Sequence, residues 1–107
     1  MSPSEFEATL KAENFNETVL VERPVGYALG EHQHTFDACA LITSGDFTLV
    51  VAGVATTYMT GDIFRLPANI LHHESAGPTG ATYIAGRRQV VPALTVPSKY
   101  WGFSKLP

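Results

Sequence analysis

Three of the four histidines in this 107-residue chain have a spacing that suits a single metal ion. His32 and His34 are separated by one residue, and side chains two positions apart in an extended strand point to the same side. His72 would have to arrive from a neighbouring strand, and His73 beside it has the opposite strand parity. Neutral imidazole nitrogens bind Fe, Zn, Mn, Ni and Cu, so the pattern predicts a site for one divalent transition metal without choosing among these ions.

A site built from these three histidines would suit catalysis. Three protein ligands leave coordination positions open, whereas a structural zinc site is closed by a fourth residue. Because all three ligands are neutral, the ion would keep its full charge and stabilise a bound hydroxide, enolate or carboxylate. Taken singly, His32 and His34 also fit surface positions and His72 a hydrogen-bonded core position; their combined spacing favours the metal site.

Short strands are the elements that must position these histidines. Ser4 and Glu7 have the spacing of a capping box, and Phe6 and Leu10 lie four residues apart, which predicts a helix over about residues 3–12. Apolar runs predict strands at residues 18–21, 40–42, 47–51, 56–59, 63–66 and 81–86. Turns between them are predicted at Ser44-Gly45, Ala52-Gly53, Gly61-Asp62 and 77–80. Regular short strands separated by Gly, Pro and Asn are typical of an all-β sandwich or barrel.

Two blocks of sequence around the candidate ligands resemble the two motifs of cupins. The first motif, G-x5-H-x-H-x3-E-x6-G, is matched by Gly26, His32, His34 and Gly45, with Ala38 at the glutamate position. The second motif, G-x5-P-x-G-x2-H-x3-N, is matched by Gly61, Pro67 and His72, with Asn69 and Ala76 at the glycine and asparagine positions. Asparagine tolerates a positive φ better than other non-glycine residues, so the exchange at Asn69 is mild.

The resemblance implies one all-β domain with the cupin double-stranded β-helix, a jelly-roll barrel. We expect the barrel over residues 18–90, a short N-terminal helix within residues 1–15 and a C-terminal tail over residues 91–107. The resemblance also implies that His32, His34 and His72 are the metal ligands. Some cupins that use three histidines without the motif glutamate, such as diketone and thiol dioxygenases, still bind metal, whereas others that lost ligands became binding modules.

Glu74 is the candidate catalytic residue. It follows His72 by two residues and therefore shares its face if the strand is regular. An inward Glu74 could be a fourth ligand, a hydrogen-bond partner of a ligand or a general base. The alternative is a solvated carboxylate at the end of a strand.

Other residues near the motifs have alternative interpretations. Cys39 has the offset of a cysteine that cysteine dioxygenase crosslinks to a tyrosine, here Tyr58 or Tyr83, but a small buried apolar role is favoured. An arginine facing the barrel could bind a substrate carboxylate, and a solvated position is the alternative. The candidates are Arg65, Arg87 and Arg88. The apolar wall of a small-molecule pocket could come from Phe36, Phe47, Phe64, Tyr58 and Tyr83, although most aromatic residues in a barrel are core.

Composition and charge narrow the possible partners. A net charge of −3 with only seven Lys and Arg argues against a nucleic-acid surface. No apolar run reaches membrane-spanning length and the N-terminus is acidic, so a cytoplasmic protein is expected. The single cysteine permits no internal disulfide. An apolar N-terminal face and a tail containing Trp101, expected to wrap the barrel or a partner subunit, predict a homodimer.

Two classes of function remain open from the sequence. The first is a metal-dependent enzyme that acts on a small organic molecule, of the dioxygenase, isomerase or lyase type. The second is a non-catalytic sensor or binding cupin for a small-molecule ligand, as in regulators that resemble this chain over the stretch from His32 to Asp37.

Overall fold

The computed structural model describes residues 1–90 of the chain. One helix precedes six strands that form a single antiparallel sheet. The elements are α1 (Pro3–Ala12), β1 (Glu17–Arg23), β2 (Ala28–His32), β3 (Phe36–Val51), β4 (Val54–Met59), β5 (Ile63–Leu66) and β6 (His72–Gln89). The predicted tail and its Trp101 lie outside the described residues, and the homodimer stays a prediction.

Helix α1 has the predicted range but a different cap. The backbone N–H of Glu5 donates to Ser2 Oγ, and the Glu5 carboxylate accepts from the Ser2 backbone N–H, so the capping box is Ser2 with Glu5. The predicted pair of Ser4 and Glu7 is therefore wrong. Pro3 explains the position of the start, because a proline in the first turn lacks an N–H that would have no partner there. Among residues 1–90, no helix has the length and apolar character needed to cross a bilayer.

Two long strands, β3 and β6, run antiparallel at the centre of the sheet. Strands β1 and β2 pair with successive parts of β6, and strands β4 and β5 pair with the two ends of β3. Each long strand therefore pairs with one short strand along its first part and with another along its last part. This arrangement brings the start of β6 beside the end of β2, where His32 is opposite His72.

The turns predicted at Ser44-Gly45 and at 77–80 are wrong, because β3 and β6 continue through both positions. Their mutual pairing shifts register there, which accommodates the glycine-rich segments as bulges. The shift also changes side-chain parity. Ala40 and Ile42 before the bulge and Phe47 and Leu49 after it therefore all face the same interior core.

Gly45 packs tightly against the backbone of β6, and we expect its replacement by alanine to be strongly destabilising. Gly45 has φ +71°, and an added Cβ would overlap the backbone carbonyl oxygen of Gly80. Gly53, with φ +79° and open space around it, is the matched control. Gly53→Ala should cost about 1–2 kcal/mol from backbone conformation alone. Gly45→Ala should cost at least ~2 kcal/mol more.

Urea unfolding of the two variants measures this difference. Equal free energies of unfolding for Gly45→Ala and Gly53→Ala would contradict the close approach of β3 to β6.

Two apolar clusters stabilise the described domain. One fills the barrel interior and includes Tyr83, with Tyr58 packed against it. The other lies between α1 and the outer face of β3 and contains Phe6 and the fully buried Cys39. Burial raises the pKa of the Cys39 thiol. The interpretation of Cys39 as a small buried apolar residue is confirmed, and its thiol belongs to a different cluster from either tyrosine.

Asp37 ties the turn before β6 to the rest of the barrel. Its carboxylate accepts from the backbone N–H of Ala68 at 2.9 Å and from the Arg88 guanidinium at 2.9 and 3.1 Å. Arg88 also donates to the backbone carbonyl of Glu13 at 2.8 Å. Asp37 thus fixes the loop that leads into His72.

Asp37→Asn is expected to destabilise the protein by about 1–2 kcal/mol at neutral pH, because hydrogen bonds to a charged group are lost. The Ala68 N–H, and then Arg88, hold the pKa of Asp37 below its usual value. This stabilisation is present above the unfolded-state pKa and disappears as the pH falls through the folded-state pKa. Chemical unfolding at several pH values should therefore show the difference from wild type shrinking in acid.

Glu22→Gln, at an exposed position, is the control and should change stability little. A difference between wild type and Asp37→Asn that stays constant in acid would contradict the proposed role of the carboxylate.

Candidate metal centre

The structure brings the three predicted ligands together with Glu74. His32 ends β2, His34 lies in the connection to β3, and His72 begins β6. Their potential ligand atoms and a Glu74 carboxylate oxygen all lie within 4.8 Å of one another. The strand-parity argument assumed that His34 lies within the same strand as His32. His34 instead lies two residues beyond the end of β2 and still reaches the cluster.

Local backbone carbonyls orient two of the imidazoles. His32 Nδ1 lies 2.7 Å from the carbonyl oxygen of Gly30, and His72 Nδ1 lies 2.9 Å from that of Ile70. A carbonyl only accepts hydrogen bonds, so each Nδ1 must carry the proton and donate it. In the neutral ring this leaves the Nε2 lone pair free, which is the arrangement that second partners impose on metal-binding histidines.

The carboxylate of Glu74 faces the two Nε2 atoms. Its Oε1 lies 3.2 Å from His32 Nε2 and 3.3 Å from His72 Nε2, and the side chain is only 8% exposed. Tyr27 Oη donates to the other oxygen, Oε2, at 2.6 Å. Burial, and then this hydrogen bond, raise the pKa of Tyr27, so its hydroxyl remains a donor. Glu74 is therefore not the solvated carboxylate of the alternative interpretation.

The chemistry of this cluster fits a divalent transition metal. His32 Nε2 is buried and makes no hydrogen bond, since its contact with Glu74 lacks hydrogen-bond geometry. Burial, together with the neighbouring His32 and His72, lowers the pKa of His34 and favours its neutral form. The contact of His72 Nε2 with Glu74 Oε1 has hydrogen-bond geometry at 3.3 Å. If the rings are neutral, their nitrogen lone pairs and the carboxylate oxygen repel at these distances unless a cation lies between them. Imidazole and carboxylate are also a common donor set for such ions.

Two of the three departures from the cupin motifs, Asn69 and Ala38, have clear structural consequences. Asn69 adopts φ +61°, the conformation that its motif glycine position requires. Its backbone N–H donates to the carbonyl of His34 at 2.7 Å, which holds that segment against the loop before β6. Ala38 lines the cavity and supplies no carboxylate. The carboxylate of the cluster comes instead from Glu74 on β6.

Three members of the cluster, His32, His34 and Glu74, line a cavity of about 100 Å³. Apolar side chains form much of the remaining wall, as a pocket for a small organic molecule requires. The lining residues include His32, His34, Glu74, Arg23, Arg87, Val21, Phe36, Leu49, Phe64 and Tyr83. Tyr58 is packed against the barrel core and is absent from this lining.

The predicted arginines divide between the surface and the cavity. Arg65 forms a two-pronged ion pair with Glu13, and Arg88 is bound to Asp37. Arg87 alone of the three lines this cavity, with its guanidinium 4.9 Å from the centre of the Phe36 ring. His73 is exposed on the opposite face, as its parity indicated, 4.0 Å from Glu31.

Arg23 is a cavity residue that the sequence argument missed. Its Cζ lies 4.6 Å from the centre of the Tyr27 ring, and its Nε is buried without a hydrogen-bond partner. Strand parity was the available signal: Val19 and Val21 pack into the barrel interior, and Arg23 shares their face. The strand predicted at residues 18–21 ended before Arg23, so its parity was not considered.

Comparisons with known proteins show similarity at the level of structure. No protein-family model and no curated protein matches the sequence. KdgF from Halomonas sp. is 22% identical with a TM-score of 0.60, over 72% of this chain and 71% of that chain. An RmlC-like cupin from Shewanella frigidimarina is 24% identical with a TM-score of 0.58, over 74% and 69%. A protein of unknown function from Rhizobium leguminosarum is 15% identical with a TM-score of 0.64, over 68% and 69%. These likenesses confirm the predicted fold.

Proposed function

Starting from the cupin fold of this chain, we propose that it binds one divalent transition metal through His32, His34 and His72 and acts on a small organic molecule in the adjoining cavity. The observation that carries the proposal is the convergence of these three imidazoles and the Glu74 carboxylate, whose potential ligand atoms lie within 4.8 Å of one another beside a cavity that His32, His34 and Glu74 line. Three protein ligands would leave coordination positions open for a substrate, which would distinguish such a site from a structural one.

The residues around the ligands have separate tasks in this proposal. A bound ion supplies Lewis-acid chemistry to an oxygen of the organic molecule. Glu74 either completes the ligand set or accepts a proton from the molecule, since its Oε1 faces the histidines. Tyr27 holds the other carboxylate oxygen and so fixes the orientation of Glu74. The apolar lining excludes water from the reacting groups, which strengthens electrostatic interactions there.

The second candidate is a non-catalytic cupin that binds the same kind of molecule. Ala38 favours it, because this chain lacks the motif glutamate on β3. The two candidates share the metal and the cavity and differ only in turnover.

Screening of the freshly purified protein separates these functions. We expect elemental analysis to find one divalent metal per chain, and small organic molecules to be consumed by the metal-loaded protein and not after chelation. Oxygen uptake during consumption would identify a dioxygenase. Saturable binding without consumption would support the binding protein, and absence of metal binding at micromolar concentrations would contradict both.

A further inference from the structure

We infer that the cavity binds a small organic acid whose carboxylate pairs with Arg23 while a second oxygen faces the histidine cluster. The second half of this inference rests on the proposed metal function, and the first does not. Within residues 1–90, the buried side-chain nitrogen and oxygen atoms without a hydrogen-bond partner are Arg23 Nε and His32 Nε2. Both residues line the same cavity. Arg23 Nε offers an N–H to an anionic group, and His32 Nε2 offers a lone pair to the proposed metal ion. A single ligand with an anionic end and a metal-binding end could therefore pair with Arg23 and bind that ion.

The guanidinium of Arg23 is held against the Tyr27 ring but forms no ion pair with the described residues. The ring of Tyr27 covers one face of it, at 4.6 Å from Cζ. Burial raises the pKa of the Tyr83 hydroxyl, and the neighbouring Arg23 opposes that rise. No carboxylate of the described residues lies within ion-pair distance of Arg23, whereas Arg65 and Arg88 each have one. A buried N–H of a charged group left unpaired is costly, so a ligand that accepts from it gains affinity.

Carboxylate is the chemical group that best fits this fork of donors. Arginine presents parallel N–H groups that match the two oxygens of a carboxylate, and the bonds are charge-assisted. The charged residues that line the cavity also favour an anionic ligand. Arg23 and Arg87 both line it, and Glu74 is its one acidic lining residue. Since Glu17 lies on the outer side of Arg87 at 3.6 Å, Arg23 remains the stronger candidate.

The volume of the cavity suits an acid with a few carbon atoms. This volume of about 100 Å³ is smaller than the roughly 150 Å³ of an engineered cavity that holds benzene. Val21, Leu49 and Phe64 contribute apolar side chains to the lining of the same cavity as Arg23, His32 and His34. A 2-oxo or 2-hydroxy acid of three or four carbons combines the required carboxylate, second oxygen and short aliphatic part.

Pyruvate and its uncharged amide, pyruvamide, are the probes for this inference. We expect pyruvate to bind the zinc-loaded wild type at least about tenfold more tightly than pyruvamide, because only pyruvate can form the charge-assisted pair. Arg23→Met should weaken pyruvate binding at least tenfold and leave the metal content unchanged. Arg65→Met removes an arginine that pairs with Glu13 outside the cavity and should leave pyruvate affinity unchanged.

Nuclear magnetic resonance on the wild type keeps the test independent of how well the variants fold. The side-chain N–H resonance of Arg23 should shift with pyruvate and not with pyruvamide, in the zinc-loaded and in the chelator-treated protein. An unmoved resonance, or equal pyruvate affinity in wild type and a folded Arg23→Met, would overturn the inference. A shift in a protein that binds no metal would support the carboxylate pairing while rejecting the proposed metal function.

Discussion

His34→Ala is expected to lose tight metal binding while keeping its fold. The substitution removes one of three imidazoles from the cluster at a position that is only partly buried, in the connection between β2 and β3. Loss of a direct ligand should reduce metal affinity by more than the roughly 10- to 100-fold that follows replacement of a ligand's outer partner. Competition titration with a chromogenic chelator measures the affinity.

His73→Ala is the matched control for this experiment. It removes an imidazole from the next position after His72, but that side chain is exposed and faces away from the cluster. Its metal affinity should equal that of the wild type. Equal affinity in His34→Ala and His73→Ala would contradict the assignment of the ligands.

Glu74→Gln is the second substitution with a large expected effect. The amide keeps the size of the side chain and can still accept from Tyr27, but it removes the negative charge beside His32 and His72. We expect metal affinity to fall about 10- to 100-fold, as for replacement of a group that directly supports the ligands. If Glu74 serves only as the proton acceptor, affinity will stay constant and turnover will be lost.

Glu31→Gln controls for the loss of one negative charge. Glu31 is 61% exposed, and its carboxylate lies 4.0 Å from the His73 imidazole. Its replacement should leave both affinity and turnover unchanged. Wild-type affinity and wild-type turnover in Glu74→Gln would contradict any role of this carboxylate at the site.

The fold and the histidine cluster could be predicted because their signals are local and specific. Gly26 and Gly45 both adopt a positive φ, a conformation that favours glycine. Their positions in the sequence therefore indicated where the backbone takes this conformation. The spacing between His32 and His34, and the position of His72 after Pro67, carried enough information to assign the cluster. Strand parity then placed Glu74 beside His72.

Of the features that sequence reasoning missed, two depend on contacts between distant strands and one depends on local conformation at the start of the helix. Gly45 marks a bulge and not a turn because β6 pairs with β3 on both sides of it, a long-range fact. The start of α1 was set by Pro3, whose missing N–H allows Ser2 to cap. Arg23 was missed because its importance follows from its unpaired Nε inside a cavity, which only the assembled barrel forms.

Anomalous X-ray diffraction from crystals of the metal-loaded wild type tests the central claim most directly. We expect one anomalous peak in the cavity, within about 2.0–2.2 Å of a ring nitrogen from each of His32, His34 and His72. An anomalous peak elsewhere, for example at the exposed pair of His73 and Glu31, or the absence of a peak in the cavity at saturating metal, would contradict it.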